Sequence, residues 1–233
     1  MPETIHIRPT APLAERVLLP GDPGRALRLA QSLLREPRMF NHNRGLWGYS
    51  GDAVLDDRPL TIQSTGMGGP SAAIVISELA DLGARTMVRV GTCGSIAPDL
   101  ELADLVAVRE AIGADGTSRA LGAAERVAGD PELLARLLAT LPAPARDVVA
   151  VTTDLFYDSP PAAGHAWAAA GASVVEMETA TLFALGARRD LATGCLLIVS
   201  DLVLPDRRRI DAATLEATEQ RLGESAMRAL ARE

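Results

Sequence analysis

Short apolar runs alternate with amphipathic stretches along most of the chain, and turn residues separate them. Arg16-Val-Leu-Leu-Pro20 reads as a short buried strand. Gly21-Asp22-Pro23 then turns the chain, and Pro23 suits the first turn of a helix running to about Leu34. Residues 45–55 and 60–64 alternate well enough to form two strands of a meander. Gly66-Met67-Gly68-Gly69-Pro70 predicts a glycine-rich turn opening a helix, with Ala73, Ile76, Leu79 and Ala80 at helical spacing. Residues 87–90 and 104–108 predict strands, the first running into Gly91-Thr92-Cys93-Gly94. Further along, 131–141 reads as a helix, 147–152 and 173–175 as strands, and 178–188 as a helix. A strand over 194–199 and an amphipathic helix over 211–232 complete the pattern. Strands that alternate with helices imply a central sheet covered by helices, the α/β class. No composition break, repeat or low-complexity segment interrupts the series, so a single domain over residues 1–233 is expected.

Composition narrows the partners. The 233 residues are 48% hydrophobic, enough for a substantial core, but only 3% aromatic, so Ala, Leu and Val have to build it. The net charge of −7 argues against a nucleic acid or an anionic membrane as partner. A small anionic substrate stays open, because a local arginine cluster can dominate a site. Cys93 and Cys195 lie far apart in apolar contexts, which reads as two reduced core thiols. No N-terminal stretch resembles a signal peptide and no apolar run reaches membrane-spanning length, so a soluble, cytoplasmic protein is expected. His6, His42 and His165 lack metal-ligand spacing, and no paired Cys-x-x-Cys occurs, so no metal is expected. The Gly-x-Ser-x-Gly elbow and the P-loop are absent as well.

Five segments carry candidate chemistry. Gly21-Asp22-Pro23-Gly24-Arg25 is either an ordinary strand–helix turn or an anion site made of backbone N–H groups and the Arg25 fork. Arg89 lies inside an apolar strand, where a charge needs a partner; that partner is either a structural acid or an anionic ligand at the strand end. Thr92 follows with a hydroxyl and an N–H suited to phosphate oxygens. Gly66-Met67-Gly68 is either a tight turn or a place where backbone approaches a ligand. Glu176-Met177-Glu178 follows the apolar pair Val174-Val175. Acids there are favoured by a helix N-terminus, and Glu178 can also accept hydrogen bonds from a ribose diol. Asp201 ends a strand, as a cap, a turn residue or a proton donor, with Arg207, Arg208 and Arg209 just beyond it.

Taken in order, Leu-Pro-Gly-Asp-Pro-Gly-Arg (19–25), Asn-Arg-Gly-Leu-Trp-Gly-Tyr (43–49), Gly-Met-Gly (66–68), Arg-Val-Gly-Thr-Cys-Gly (89–94), Asp-Leu-Phe-Tyr (154–157), Val-Glu-Met-Glu-Thr-Ala (175–180) and Ser-Asp (200–201) resemble the nucleoside phosphorylase family. The likeness is greatest to its bacterial hexameric purine nucleoside phosphorylases. It implies a single α/β domain with a central mixed, partly closed β-sheet flanked by α-helices. It also implies phosphorolysis of a purine nucleoside, with inorganic phosphate as co-substrate and no cofactor. By the same resemblance Gly21, Arg25, Arg89 and Thr92 hold phosphate, and Met67, Met177 and Glu178 bind the ribose. Phe156, Val175 and Glu176 lie near the base. Asp201 protonates the base as it leaves, with Arg208 taken as its arginine partner. Arg44 and His6 reach the phosphate and the ribose of a neighbouring subunit's site, which implies a homo-oligomer built as a trimer of dimers. Thr92 stands where the family commonly has serine, and the arginines at 207–209 come earlier than the family's usual one. The rivals are a uridine phosphorylase, a nucleosidase that uses water, and a non-catalytic nucleoside-binding protein. The first lacks its expected Gln and Arg after Phe156. The second has no use for Arg25, Arg44 and Arg89.

Overall fold

A computed structural model of the chain describes residues 4–157, 160 and 162–231. The described strands form one mixed sheet with both parallel and antiparallel pairings. Its elements are β1 (Arg16–Leu19), α1 (Pro23–Leu33), β2 (Leu34–Asn41), β3 (Gly48–Ala53), β4 (Pro59–Gln63), α2 (Gly69–Leu82) and β5 (Thr86–Ser95). There follow β6 (Leu105–Gly113), α3 (Gly116–Ala120), β7 (Arg126–Ala128), α4 (Pro131–Ala139), β8 (Asp147–Thr152) and α5 (Ala163–Ala169). The last are β9 (Val174–Glu176), α6 (Thr179–Arg189), β10 (Ala192–Leu202), β11 (Arg208–Arg209) and α7 (Ala212–Leu230). The sheet runs β10–β6–β8–β9–β5, and β10 pairs with β5 as well, so those strands close into a ring. From β5 the sheet continues as an open wing through β1, β4, β3 and β2.

Alternation along the central strands explains the layers. Successive side chains of a strand point to opposite faces. Met87 therefore joins Ala72, Val75, Ile76, Leu79, Leu182, Phe183 and Leu185 under α2 and α6. Its neighbour Val88 joins Leu29, Leu33, Leu133, Leu137, Leu222 and Ala226 under α1, α4 and α7. With both faces covered, β5 and β10 read as continuous apolar runs rather than alternating ones. Caps set where the helices begin. Asp22, Asp130 and Asp211 each accept a hydrogen bond from the backbone N–H three residues on. No helix among the described residues is long and apolar enough to cross a membrane.

The main elements expected from the pattern are present, and β2, α3, β7, α5 and β11 come in addition to them. Residues 34–41 form β2, although Pro37 lies within them. Proline is tolerated there because β2 is an edge strand, and its register with β3 shifts between Arg35 and Arg38. Phe183 is fully buried beneath α6. Phe183→Ala should cost about 3–5 kcal/mol and lower the melting temperature by on the order of 10 °C. Thermal denaturation followed by circular dichroism measures this, and a change of about 2 °C or less would contradict the packing described.

Candidate active site

The carboxyl ends of β1, β5 and β10 and the turn after β4 open onto one cleft of about 630 Å³. Ligands of open α/β sheets collect at such strand ends. Gly21, Arg25, Met67, Arg89, Thr92, Phe156, Val175, Glu176, Met177, Glu178 and Asp201 all line it.

Arg89 is the fixed point of the cleft wall. It projects from the middle of β5 and is 6% exposed. Its Nε lies 3.1 Å from Glu176 Oε2, and its Nη2 lies 2.6 Å from Glu178 Oε2. Burial pulls the arginine's pKa down, but the carboxylates of Glu178 and Glu176 outweigh it and the net shift is upward. Space for the guanidinium comes from a residue that is missing a side chain. A β-carbon at Gly91, two residues on and on the same face, would sit 2.7 Å from Arg89 Cζ.

The two acids of the Glu-Met-Glu segment have different tasks. Glu176 has a fully buried side chain. Its Oε2 accepts from the N–H groups of Glu178 at 2.8 Å and Thr179 at 2.9 Å, at the start of α6. Its Oε1 accepts from the Thr152 hydroxyl at 2.5 Å. With both oxygens occupied inside the wall, the carboxylate anchors α6 and Arg89. It still lines the cleft, beside Val175. Glu178 stands nearer the opening, its Oε1 accepting from Gly68 N at 2.5 Å. Burial raises its pKa against the opposing pull of Arg89. Gly68 has a φ of +84°, a conformation glycine adopts without strain, and this aims its N–H at Glu178.

Arg25 enters from the first turn of α1 and is 7% exposed. Its Nε donates to Glu219 Oε1 on α7 at 2.8 Å. Gly21 lies at the end of β1, and its carbonyl accepts from Gly66 N at 3.1 Å, which joins the two glycine turns. Thr92 is half-buried on the floor between them.

Asp201 occupies the other end of the cleft, near the end of β10, and is 5% exposed. The Ser200 hydroxyl donates to its Oδ2 at 2.9 Å. Its Oδ1 pairs with Arg207 Nη2 at 3.2 Å and Arg209 Nε at 3.1 Å. The expected partner, Arg208, is therefore replaced by both of its neighbours. The cause is register: β11 runs antiparallel to β10 with Arg209 opposite Asp201 and Arg208 opposite Leu202. Directly opposed residues share a face and adjacent ones do not, so Arg208 points away. The Arg207 guanidinium also lies 5.0 Å above the centre of the Phe156 ring. Tyr157 packs edge-on against that ring, with centroids 4.9 Å apart.

Two expected residues lie off the cleft. His6 Nδ1 is 2.7 Å from Glu78 on α2, and Glu78 also accepts from the backbone N–H groups of His6 and Ile7. Arg44 is exposed in a short turn at 43–45, with φ 57°. Neither lines the cleft of its own chain.

Glu219 and Thr152 were not singled out as site residues from the sequence, and Arg207 appeared there only beside Arg208 and Arg209. Glu219 did leave a trace, as an acid at helical spacing from Leu215, Leu222 and Ala226 on an otherwise apolar stripe. Thr152 leaves none, because pairing across the sheet with Glu176 brings it in.

Comparison with known proteins shows the family of the chain. The sequence model described as the Phosphorylase superfamily matches residues 15–232. A protein of Caldanaerobacter subterraneus subsp. tengcongensis named purine nucleoside phosphorylase DeoD-type is 35% identical over 199 residues, covering 81% of this chain and 83% of its own length. One of the same name from Geobacillus kaustophilus is 36% identical, covering 86% and 87%. A Treponema pallidum protein named uridine phosphorylase is 38% identical, covering 78% and 76%.

Proposed function

The chain belongs to the Phosphorylase superfamily, and from that premise we propose that it cleaves purine nucleosides with inorganic phosphate, releasing the free base and a pentose 1-phosphate. The observation that carries this reading is the division of one cleft into two chemistries. Arg25, Arg89 and Glu178 line it together, and a buried carboxyl, Asp201, lines it from further along β10, opposite Gly94 rather than Arg89.

Bond cleavage at a nucleoside leaves positive charge on the sugar and negative charge on the base. A phosphate held by Arg25, Arg89, Thr92 and the N–H groups near Gly21 stabilises that sugar and then attacks it. Met67 and Met177 shape the sugar's surroundings, and Glu178 accepts its hydroxyl hydrogens. Asp201 gives a proton to the departing base, a role worth about 10²–10⁴-fold. Arg207 and Arg209 then face the negative charge that stays on its carboxylate. Phe156 supplies a flat apolar face for the base and Val175 the wall beside it. The reaction calls for no cofactor or metal, only phosphate as co-substrate.

The second reading is a uridine phosphorylase, favoured by the Treponema pallidum relative of that name. The purine reading is supported by Asp201 and by the segment after Phe156, which carries neither Gln nor Arg through His165. We also place the working protein in a homo-oligomer, a hexamer arranged as a trimer of dimers. His6 and Arg44 lie off their own cleft, and Ile5, Trp47 and Met67 are exposed apolar residues beside those segments. In such an assembly both would complete a neighbour's site.

Release of free base from inosine, guanosine, adenosine and uridine, each with and without phosphate, tests the proposal. Turnover of a purine nucleoside that requires phosphate is expected. Cleavage of uridine alone, or cleavage independent of phosphate, would overturn it. Within that assay Asp201→Asn should slow turnover at least roughly tenfold. Arg207→Ala and Arg209→Ala should each lower kcat, whereas Arg208→Ala should leave it within about twofold. A larger loss at Arg208 than at its neighbours would contradict the register of β11.

A further inference from the structure

One buried acid has no part in the chemistry above. Glu219 lies on α7, on the stripe that packs into the core beneath α1, and is 3% exposed. A carboxylate in that position must be matched by cations, because burial of an unpaired charge is expensive. Its Oε1 accepts from Arg25 Nε at 2.8 Å. Its Oε2 accepts from Arg28 Nη2 at 2.5 Å and Arg28 Nε at 3.1 Å. The two arginines are not equivalent. Arg28 has a side chain 41% exposed and does not line the cleft, whereas the Arg25 side chain is 8% exposed and does.

Three consequences follow from this geometry. Nε of Arg25 is occupied by Glu219, so the guanidinium meets the cleft with its terminal nitrogens. The only other bond from that group among the described residues runs from Nη1 to the Val90 carbonyl and is long, at 3.4 Å. Arg28, which also lies 3.9 Å from Asp22, answers the second oxygen of Glu219, so the carboxylate engages Arg25 through Nε alone and leaves its terminal nitrogens to an anion. Finally, α7 is the last helix of the chain, and the glycine turns that form the rest of the cradle lie near Gly21 and Gly66. Glu219 is therefore what joins the end of the chain to its first phosphate-facing turn.

We propose that Glu219 is a positioning residue for the anionic co-substrate. From α7 it fixes the guanidinium of Arg25 at the cleft and so sets the affinity for phosphate. The inference rests on the phosphate-dependent reading of the cleft. It is tested on the full chain by calorimetric titration with inorganic phosphate and by steady-state kinetics. Glu219→Gln should raise the phosphate Kd and KM roughly tenfold, the equivalent of one charge-assisted hydrogen bond. The nucleoside KM should stay within about twofold. Glu219→Asp should recover part of the loss, and should it alone fold, the same comparison is made with it against wild type. In an Arg25→Ala background the Glu219 substitution should add no further rise, because its effect passes through Arg25. Equal changes in both KM values, or a full additional loss in the Arg25→Ala background, would reduce Glu219 to a packing residue. Wild-type protein that requires phosphate while Glu219→Gln keeps its KM would sink this inference alone. Wild-type protein that neither binds nor requires phosphate would overturn the reading of the cleft and this inference with it.

Discussion

A single arginine held between two carboxylates organises the cleft. Arg89 sits deep in the sheet, where a lone charge would be untenable, and Glu176 and Glu178 neutralise it from the start of α6. Removing one partner from a buried pair of this kind typically costs about 3–5 kcal/mol, so the three side chains stand or fall together. Their cohesion also fixes geometry. Glu176 ties the first N–H groups of α6 to β8 through Thr152, and Glu178 ties them to the glycine turn before α2. The site thus rests on contacts between elements far apart in the chain, and β9, paired with both β5 and β8, brings Arg89, Thr152 and the start of α6 together.

Closure of β10 onto β5 brings Asp201 to the cleft that Arg89 lines. β5 and β10 run parallel, so both deliver their last residues to one side of the sheet. Arg89 lies partway along β5 and Asp201 lies near the end of β10, with the register slipping between Val199 and Asp201. Arg89 and Asp201 are therefore carried by neighbouring strands yet held apart along them. That separation suits a reaction in which charge of opposite sign develops on the two halves of the substrate.

The legibility of this arrangement in the sequence differed by element. Long elements with a clear period were legible: α2, α7, β5 and β8 appear where apolar spacing puts them. β2 was not, because Pro37 argues against a strand unless the strand lies at an edge, and edge position is a property of the whole sheet. At the site, Arg89 was conspicuous as a charge within an apolar run, and Gly91 behind it is explained only once the guanidinium is seen to need its space. Glu176 and Glu178 are indistinguishable as neighbouring acids in sequence. What separates them is that one is enclosed by Thr152 and the start of α6 and the other stands at the opening. The arginine that meets Asp201 depends on a two-residue strand, β11, whose register no local pattern announces.

Central to the proposed function is that Arg89, paired with Glu178 in the cleft wall, is also the partner proposed for phosphate. The most direct measurement is the affinity of the nucleoside-free protein for inorganic phosphate, by calorimetry, in wild type and in Glu178→Gln. Glutamine keeps an acceptor for the Gly68 N–H but removes the charge that competes with phosphate for Arg89. The account predicts tighter phosphate binding by Glu178→Gln, together with a raised KM for nucleoside. Phosphate binding that is unchanged or weaker in the variant would contradict it.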